Sequence, residues 1–288
     1  MNTLGEGVHP FSPQFALWSD AAEKRRWIWL PPDSQIDTSD MNFWTFPAGT
    51  KIWKEFTRDG TRVETRLIEK QSSGTWYTVA YLWRDDQTEA DAVPDGLMNA
   101  SGTEHDVPNA DACWTCHSQQ PDKALGFSAI QLAHSPMDAA DPNEWTLARL
   151  VEANLLTAPP EAALEFSDGW PEAERALFGY LHANCGTCHN PEGSANSLTG
   201  LDLWIKADDL AKTAEESSVY LAIVDVDIMK LDVELEATKR IDPGSLENSA
   251  LYQRFLNKGQ SWSMPPLASE VTDPTGQAML EAFILGLE

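Results

Sequence analysis

The four cysteines of the chain form two pairs, and a histidine directly follows each pair. The two segments are Cys113-Trp114-Thr115-Cys116-His117 and Cys185-Gly186-Thr187-Cys188-His189. The spacing C-x-x-C-H is typical of c-type haem attachment, in which two thiols bond to the two vinyl groups of the porphyrin. The histidine that follows then lies under the iron as its proximal ligand. The sequence therefore predicts two covalent haem c groups, with His117 and His189 as iron ligands.

Other uses of paired cysteines fit this pattern less well. The pairs of a zinc ribbon are separated by about 15–20 residues, whereas residues 116 and 185 are far more distant. A thioredoxin-like redox motif explains one C-x-x-C but not two with the same following histidine. Two cysteines separated by only two residues are poorly placed to form a structural disulfide. Haem attachment therefore remains the interpretation of both pairs.

A methionine near the C-terminus is the predicted sixth ligand of the second haem. Met264 lies in the run Ser263-Met264-Pro265-Pro266-Leu267. A residue before proline is disfavoured in the helical region, so we expect Met264 on extended backbone. A thioether on such a loop can approach the iron from the side opposite to His189, and it raises the reduction potential.

The sixth ligand of the first haem is less clearly indicated. The candidates are His134, His105 and Met137, and an open coordination position is a further alternative. His134 is favoured because it follows His117 by 17 residues, beyond an apolar segment that could fold over the porphyrin. His182, on the helix that precedes the second motif, is expected to pack or to form a hydrogen bond.

The N-terminal part reads as an antiparallel sheet that precedes the first motif. Turn residues Asp59-Gly60 and Ser72-Ser73-Gly74 separate successive strands. Alternation in the third strand predicts one half-buried face made of Val63, Thr65, Leu67 and Glu69. The predicted strands are Arg26–Leu30, Lys51–Thr57, Arg62–Lys70 and Thr75–Trp83.

The C-terminal part reads as helices. Pro171 suits a first helical turn, and an apolar stripe then leads into Cys185; the stripe consists of Ala173, Ala176, Leu177, Tyr180 and Leu181. Further helices are predicted at Ser218–Lys230, Leu246–Leu256 and Pro274–Leu287, the last with Asp273 as N-cap. Before Pro159-Pro160, the segment Ala124–Ala133 fits a strand or a short helix, and Glu144–Leu156 has helical spacing. We therefore predict two domains, residues 1–165 and residues 166–288.

The charge balance excludes some partners and favours others. The chain has 45 acidic and 20 basic residues, a formal net charge of −25. Nucleic acids are bound through clustered Lys and Arg, so a nucleic-acid partner is not expected. No apolar run reaches the ~18 residues of a membrane-spanning helix. A redox partner with a basic docking surface is expected instead, because complementary fields accelerate encounter.

Haem c is attached outside the cytoplasm, so we expect a periplasmic or otherwise exported protein. Residues 1–13 contain neither the basic region nor the apolar region of a signal peptide. We therefore expect that the export signal has been removed from this sequence.

Residues from about 172 to 288 resemble a class I cytochrome c domain. The similarity rests on Cys185–His189, on Ile241-Asp242-Pro243-Gly244 and on Met264-Pro265-Pro266 before a terminal helix. The whole chain also resembles a group of bacterial dihaem c-type cytochromes of poorly defined role. There, a Trp-rich β segment precedes the first haem site. The matching residues here are Leu17-Trp18-Ser19-Asp20, Lys51-Ile52-Trp53-Lys54 and Leu125-Gly126-Phe127.

The resemblance implies an α+β protein, with an antiparallel β-rich domain followed by an all-α cytochrome c domain. The expected function is electron transfer between periplasmic redox partners. The alternative is a dihaem peroxidase or oxidase with catalysis at the first haem, and a third possibility is a docking subunit whose β-rich region recognises a partner enzyme. Whether the chain is an enzyme stays open at this point.

Overall fold

The computed structural model describes residues 4–103, 105–137, 139, 141–229, 235–266 and 270–287. Residues 1–3, Lys230, Leu267 and Glu288, which belong to predicted features, lie outside the described residues. The predicted helix Ser218–Lys230 is described over residues 218–229, and only Ser218–Ile223 is helical, so its predicted end is wrong. The described chain combines a six-stranded antiparallel sheet with eight α-helices. The mixed α+β class is thereby confirmed.

The chain divides into two compact units. Unit 1 comprises Met1–Gln14 and Ala22–Leu164, and unit 2 comprises Phe15–Ala21 and Glu165–Glu288. The early segment Phe15–Ala21 thus belongs to unit 2, whereas the predicted domain limits place it in the first domain.

The sheet of unit 1 is a meander in which each strand pairs with its sequence neighbours. Asp59 and Gly60 both have positive φ and form the tight turn between the third and fourth strands. Gly74 (φ 84°) performs the same role before the fifth strand. The strands are β1 Val8–Pro10, β2 Glu23–Trp29, β3 Lys51–Arg58, β4 Thr61–Lys70, β5 Trp76–Trp83 and β6 Ala90–Ala92.

The inward face of β4 differs from the prediction. Glu64, Ile68 and Lys70 are buried, whereas Thr65, Leu67 and Glu69 are only half-buried. A bulge opposite Phe56 and Thr57 shifts the register at the start of the strand, so that Val63 is buried next to Glu64. The predicted grouping of Val63 with Thr65, Leu67 and Glu69 is therefore wrong.

The apolar core of unit 1 lies on this inward face. Ile28, Ile52 and Ile68 are cross-strand neighbours on β2, β3 and β4, and all three are buried. Phe127 and Leu132 belong to the same core cluster. The helices of unit 1 are α1 Ala110–His117, α2 Ala129–Leu132 and α3 Leu147–Glu152. The last two are shorter than the segments that the sequence indicated.

The described part of unit 2 contains helices and isolated bridges but no strand of the sheet. Helix α4 packs on α8, with the Phe178 and Phe283 ring centroids 5.4 Å apart and with Leu280 and Ile284 fully buried. Asp273 caps α8 through the amide of Thr275. The helices are α4 Glu172–Asn184, α5 Ser194–Thr199, α6 Ser218–Ile223, α7 Ala250–Leu256 and α8 Pro274–Gly286.

The segment Phe15–Ala21 is tied into unit 2 by hydrogen bonds. The Trp18 amide donates to Asn184 Oδ1 at the end of α4 (2.7 Å). Asp20 Oδ1 accepts the amides of Glu270 and Val271 at 3.0 and 2.9 Å. The segment therefore connects the end of α4 with the stretch before α8.

None of the helices in the described residues has the length and apolar character needed to cross a membrane.

Candidate functional site

The first motif lies on a capped helix. Asn109 accepts the amide of Ala112 and starts α1, and His117 is the last residue of that helix. Cys113 is buried and Cys116 is half-buried. Burial raises the pKa of the Cys113 thiol. Both thiols and the imidazole therefore come from two turns of one short helix.

The imidazole of His117 is oriented by a backbone carbonyl. Its Nδ1 lies 2.6 Å from the carbonyl oxygen of Lys123, a residue with φ 63°. Burial lowers the pKa of His117 to about 4, and this carbonyl offsets part of the effect. Among the described residues, His117 Nε2 has no hydrogen-bond partner. The ring is thus neutral near pH 7, with Nδ1–H donating to Lys123 and the Nε2 lone pair available to a metal.

A buried ion pair fixes the loop that supplies this carbonyl. Asp122, next to Lys123, lies 2.7 Å from Lys70 Nζ, and both side chains are about nine-tenths buried (9% and 11% exposed). The indole of Trp76 and the amide of Phe46 also donate to Asp122. The Lys70 ammonium donates further to the carbonyl of Phe46 at 2.9 Å. The sheet therefore holds the loop after α1 in place.

The strands also place a polar cluster near the first motif. Glu64 is fully buried and lies 2.5 Å from Arg66 Nη2 and 2.6 Å from His105 Nε2. Although burial acts to raise the pKa of Glu64, the Arg66 charge and the His105 contact hold it below its ordinary value. Arg66 and Lys54 also lower the pKa of His117, which shows that their charges lie near the motif.

The structure gives each predicted sixth ligand of the first haem a different environment. His105 Nε2 forms a hydrogen bond with the Glu64 carboxylate, and His134 Nε2 lies 2.9 Å from the carbonyl oxygen of Ser12. Met137 is 90% exposed. No hydrogen bond, ring contact or ion pair joins any of these three side chains to His117 in the part of the chain that the structure describes.

The second motif follows directly after α4. The Cys185 amide donates to Leu181, and the His189 amide donates to the carbonyl of Cys185 at 2.9 Å. A Cβ on Gly186 would lie 2.6 Å from the His182 carbonyl oxygen and 2.8 Å from that of Leu203. Only glycine fits this close approach, so the segment around Leu203 packs against the motif.

The segment around Leu203 also forms hydrogen bonds to the two histidines of this region, His189 and His182. The Leu203 amide donates to the His189 carbonyl at 2.7 Å, and the Ile205 amide donates to His182 Nδ1 at 3.1 Å. Burial lowers the pKa of His189 to about 4, an effect that the Leu201 carbonyl partly offsets. Burial also lowers the pKa of His182 to about 3. His182 is therefore a neutral, hydrogen-bonded residue of the core, in agreement with its expected role.

A short loop carries Met264 and is bound to α7 and to the residues that follow it. The Met264 amide donates to the carbonyl of Arg254 at 2.8 Å, and its own carbonyl accepts Lys258 Nζ at 3.0 Å. The Cys185 thiol and Lys258 influence each other's pKa, although burial is the larger cause for both. Lys258 therefore connects the Met264 loop with the second motif.

Asn190 completes the second motif and was not singled out from the sequence. It is fully buried, and its amide nitrogen donates to the carbonyls of Gly186 and Thr187 at 3.0 and 2.7 Å. Its position directly after the C-x-x-C-H motif is the sequence feature that could have identified it. The role of Lys123 had no such signal, because a backbone carbonyl can come from any residue.

No disulfide joins the four cysteines, all of which lie in the described part of the chain. Nor do three or more His, Cys, Asp or Glu side chains converge as a metal site within the described ranges.

Comparisons with protein-family models, with curated proteins and with solved structures found no match for the chain.

Proposed function

We propose that the protein is a dihaem c-type cytochrome that relays electrons between periplasmic redox partners. The observation that carries this proposal is the His117 imidazole, which is buried and neutral, with Nδ1 2.6 Å from the Lys123 carbonyl. Metal-bound histidines usually donate their second ring N–H to such an acceptor, which fixes the tautomer and leaves the other nitrogen for the iron. His117 follows two cysteines on the same helix, as haem c attachment requires.

The residues of both motifs fit a haem. Cys113 and Cys116 would hold the first porphyrin, with His117 as the proximal ligand. A bound haem supplies one-electron exchange between ferric and ferrous iron. The protein's part is to orient the imidazole through Lys123 and to exclude water from it by burial.

The second site would be held by Cys185 and Cys188, with His189 and Met264 as axial ligands. Asn190 and the close approach at Gly186 fix the turn that carries the imidazole. Hydrogen bonds to both the amide and the carbonyl of Met264 fix the loop that carries the thioether. We propose that unit 2 is a helical cytochrome c domain on this basis.

The location and partners follow from the same proposal. Because haem c attachment takes place outside the cytoplasm, the mature protein is periplasmic or otherwise exported. Its charge of −25 favours a redox partner with a basic docking surface.

Haem attachment is tested by expressing the full chain with a c-type maturation system and measuring the mass of the intact protein. Two covalent haems are expected on the wild type and one each on Cys113→Ser/Cys116→Ser and Cys185→Ser/Cys188→Ser. Thr115→Ser and Thr187→Ser change a residue inside each motif and serve as controls that keep both haems. A wild-type mass equal to that of the bare chain would overturn the proposal.

Electron relay is tested by the rate of reduction and re-oxidation with a cationic cytochrome and with an anionic one. With the cationic partner we expect a fast rate that falls as ionic strength rises, because salt screens the attraction. Equal rates and no salt dependence would contradict the expected basic partner.

A redox enzyme is the second candidate, and one observation favours it. The three predicted sixth ligands of the first haem are engaged by Glu64, by Ser12 or by solvent. A haem without a strong sixth ligand can bind peroxide or oxygen. Electron paramagnetic resonance of the oxidised protein decides between the candidates. Two low-spin signals indicate a relay, whereas a high-spin signal that cyanide converts indicates an enzyme.

A further inference from the structure

Three cations lie side by side on the inward face of the sheet in unit 1. In the register of the strands, Arg26 on β2 faces Lys54 on β3, and Lys54 faces Arg66 on β4. On each of these strands, the residue two positions from the cation is a buried isoleucine: Ile28, Ile52 and Ile68. Because side chains two residues apart share a face, the cation row points to the same side as the apolar core.

Such a row is unfavourable by itself and is an exception in this sheet. Like charges directly opposite each other destabilise an antiparallel pair. Elsewhere on the same strands, cations face carboxylates. Arg25 is opposite Glu55, and Lys51 is opposite Glu69 with an ion pair of 3.8 Å. Local conflicts of this kind occur where function requires them.

The row has fewer carboxylates than cations. Glu64 pairs with Arg66, and no described carboxylate lies within ion-pair distance of Arg26 or Lys54. Burial lowers the pKa of Arg26 to about 10. Burial and the charges of Arg26 and Arg66 hold the pKa of Lys54 well below its ordinary value. Glu64 also acts on Lys54 and raises its pKa, so the three cations of the row share one carboxylate and leave an excess of two positive charges in the described structure.

The row extends away from the first motif. Helix α1 packs on β5, and Arg66 acts on the Cys113 thiol. Because strands are spaced by about 4.8 Å, Lys54 and Arg26 lie roughly 10 and 14 Å across the sheet from β5. A haem has its propionate carboxylates on the edge opposite to the thioether bonds. The charges of Lys54 and Arg66 still reach His117, and Arg26 on β2 is the member of the row farthest from the attachment helix, where the far edge of an attached haem would lie.

We propose that Arg26 and Lys54, with Arg66 beside them, form a carboxylate-binding row that holds the two propionates of the first haem. This inference rests on the proposed haem attachment at Cys113 and Cys116. The two propionates match the excess of two cations over carboxylates in the row, and Arg–carboxylate pairs are favoured by their bidentate geometry.

The first test is the reduction potential of each haem in the full-length, haem-loaded protein. Arg26→Gln and Lys54→Gln, singly and together, should lower the potential of the first haem and leave that of the second unchanged. The reason is that nearby positive charge favours the reduced iron. Arg26→Lys should retain the wild-type potential. Arg25→Gln, on the opposite face of the same strand, is the matched control and should change neither haem.

The second test distinguishes propionates from a free anion as the occupant. Thermal unfolding is followed with and without added sulfate. Sulfate stabilises folded proteins in general, so the readout is the rise in unfolding temperature beyond that of the Arg26→Gln/Lys54→Gln variant in the same background. Cys113→Ser/Cys116→Ser, which lacks the first haem, should show such an excess, and the haem-loaded wild type should show none. An equal excess in both proteins would show that the row takes free anions and would overturn the inference.

The outcomes also separate this inference from the proposed function. If both haems are present by mass and the row variants leave the first potential unchanged, the row does not bind propionates, while the cytochrome proposal stands. If the wild type carries no haem, both are wrong. If the double variant fails to fold, the two single variants decide the question.

Discussion

The buried pair Lys70–Asp122 predicts a large and specific loss of stability. Asp122→Asn keeps the shape of the side chain but removes the charge that faces the Lys70 ammonium at 2.7 Å. Both groups are about nine-tenths buried, so water cannot replace the lost partner. Removing one member of a buried ion pair costs about 3–5 kcal/mol. That loss is a large fraction of the roughly 5–15 kcal/mol that stabilises a domain.

The assay is urea unfolding of the wild type and of Asp122→Asn at pH 7. The exposed pair Arg84–Asp91 provides the control, because its side chains are 49% and 59% exposed. Asp91→Asn should cost far less than Asp122→Asn, because water and salt screen an exposed ion pair. Lys70→Met in the Asp122→Asn background should recover part of the loss, since no unpaired charge is then buried. A cost for Asp122→Asn no larger than that of Asp91→Asn would refute the reasoning.

Three further predictions concern unit 2. Folding lowers the pKa of His182 from 6.5 to about 3, so the unfolded state binds more protons between these values, and stability falls as pH drops through this window. His182→Phe should therefore reduce the slope of unfolding free energy against pH by about 1.4 kcal/mol per pH unit. An unchanged slope would contradict the assignment of His182 as a buried neutral residue. Gly186→Ala should destabilise the second motif and lower the yield of the second haem, because the new Cβ meets the Leu203 carbonyl at 2.8 Å; full haem content and wild-type unfolding would count against this packing. Met264→Ala should change the visible spectrum and lower the potential of the second haem, whereas Met229→Ala, at an exposed position, should change neither; identical spectra for all three proteins would exclude Met264 as a ligand.

The elements that the sequence predicted well are those with strong local signals. The turn Asp59-Gly60 forms between β3 and β4, and α4 ends immediately before Cys185. Helix α4 contains the whole predicted apolar stripe, of which Leu177 and Leu181 are buried and the two alanines are exposed. Turn chemistry and helical periodicity are properties of a few neighbouring residues, so they can be recognised without tertiary structure. The short strands β1 and β6 were missed because three residues carry too little periodicity.

The predictions failed where burial depends on distant partners. Alternation shows which residues of a regular strand share a face, but it shows neither which face is inside nor where a bulge shifts the register, as it does at the start of β4. Glu64 and Lys70 resemble surface residues in the sequence and are buried because Arg66, His105 and Asp122 satisfy them. The same limitation applies to Lys123, which acts through its backbone carbonyl.

The position of Phe15–Ala21 in unit 2 has a consequence for the order in which the protein can mature. Trp18 and Asp20 are synthesised long before their partners Asn184 and Val271. Asp20 can pair with Val271 only after the 251 positions that separate them have been made and, for the proposed exported protein, translocated. During that time the sheet strands that follow it can already pair. The helical unit that contains the second cysteine pair can therefore complete its structure only after Val271 has been made.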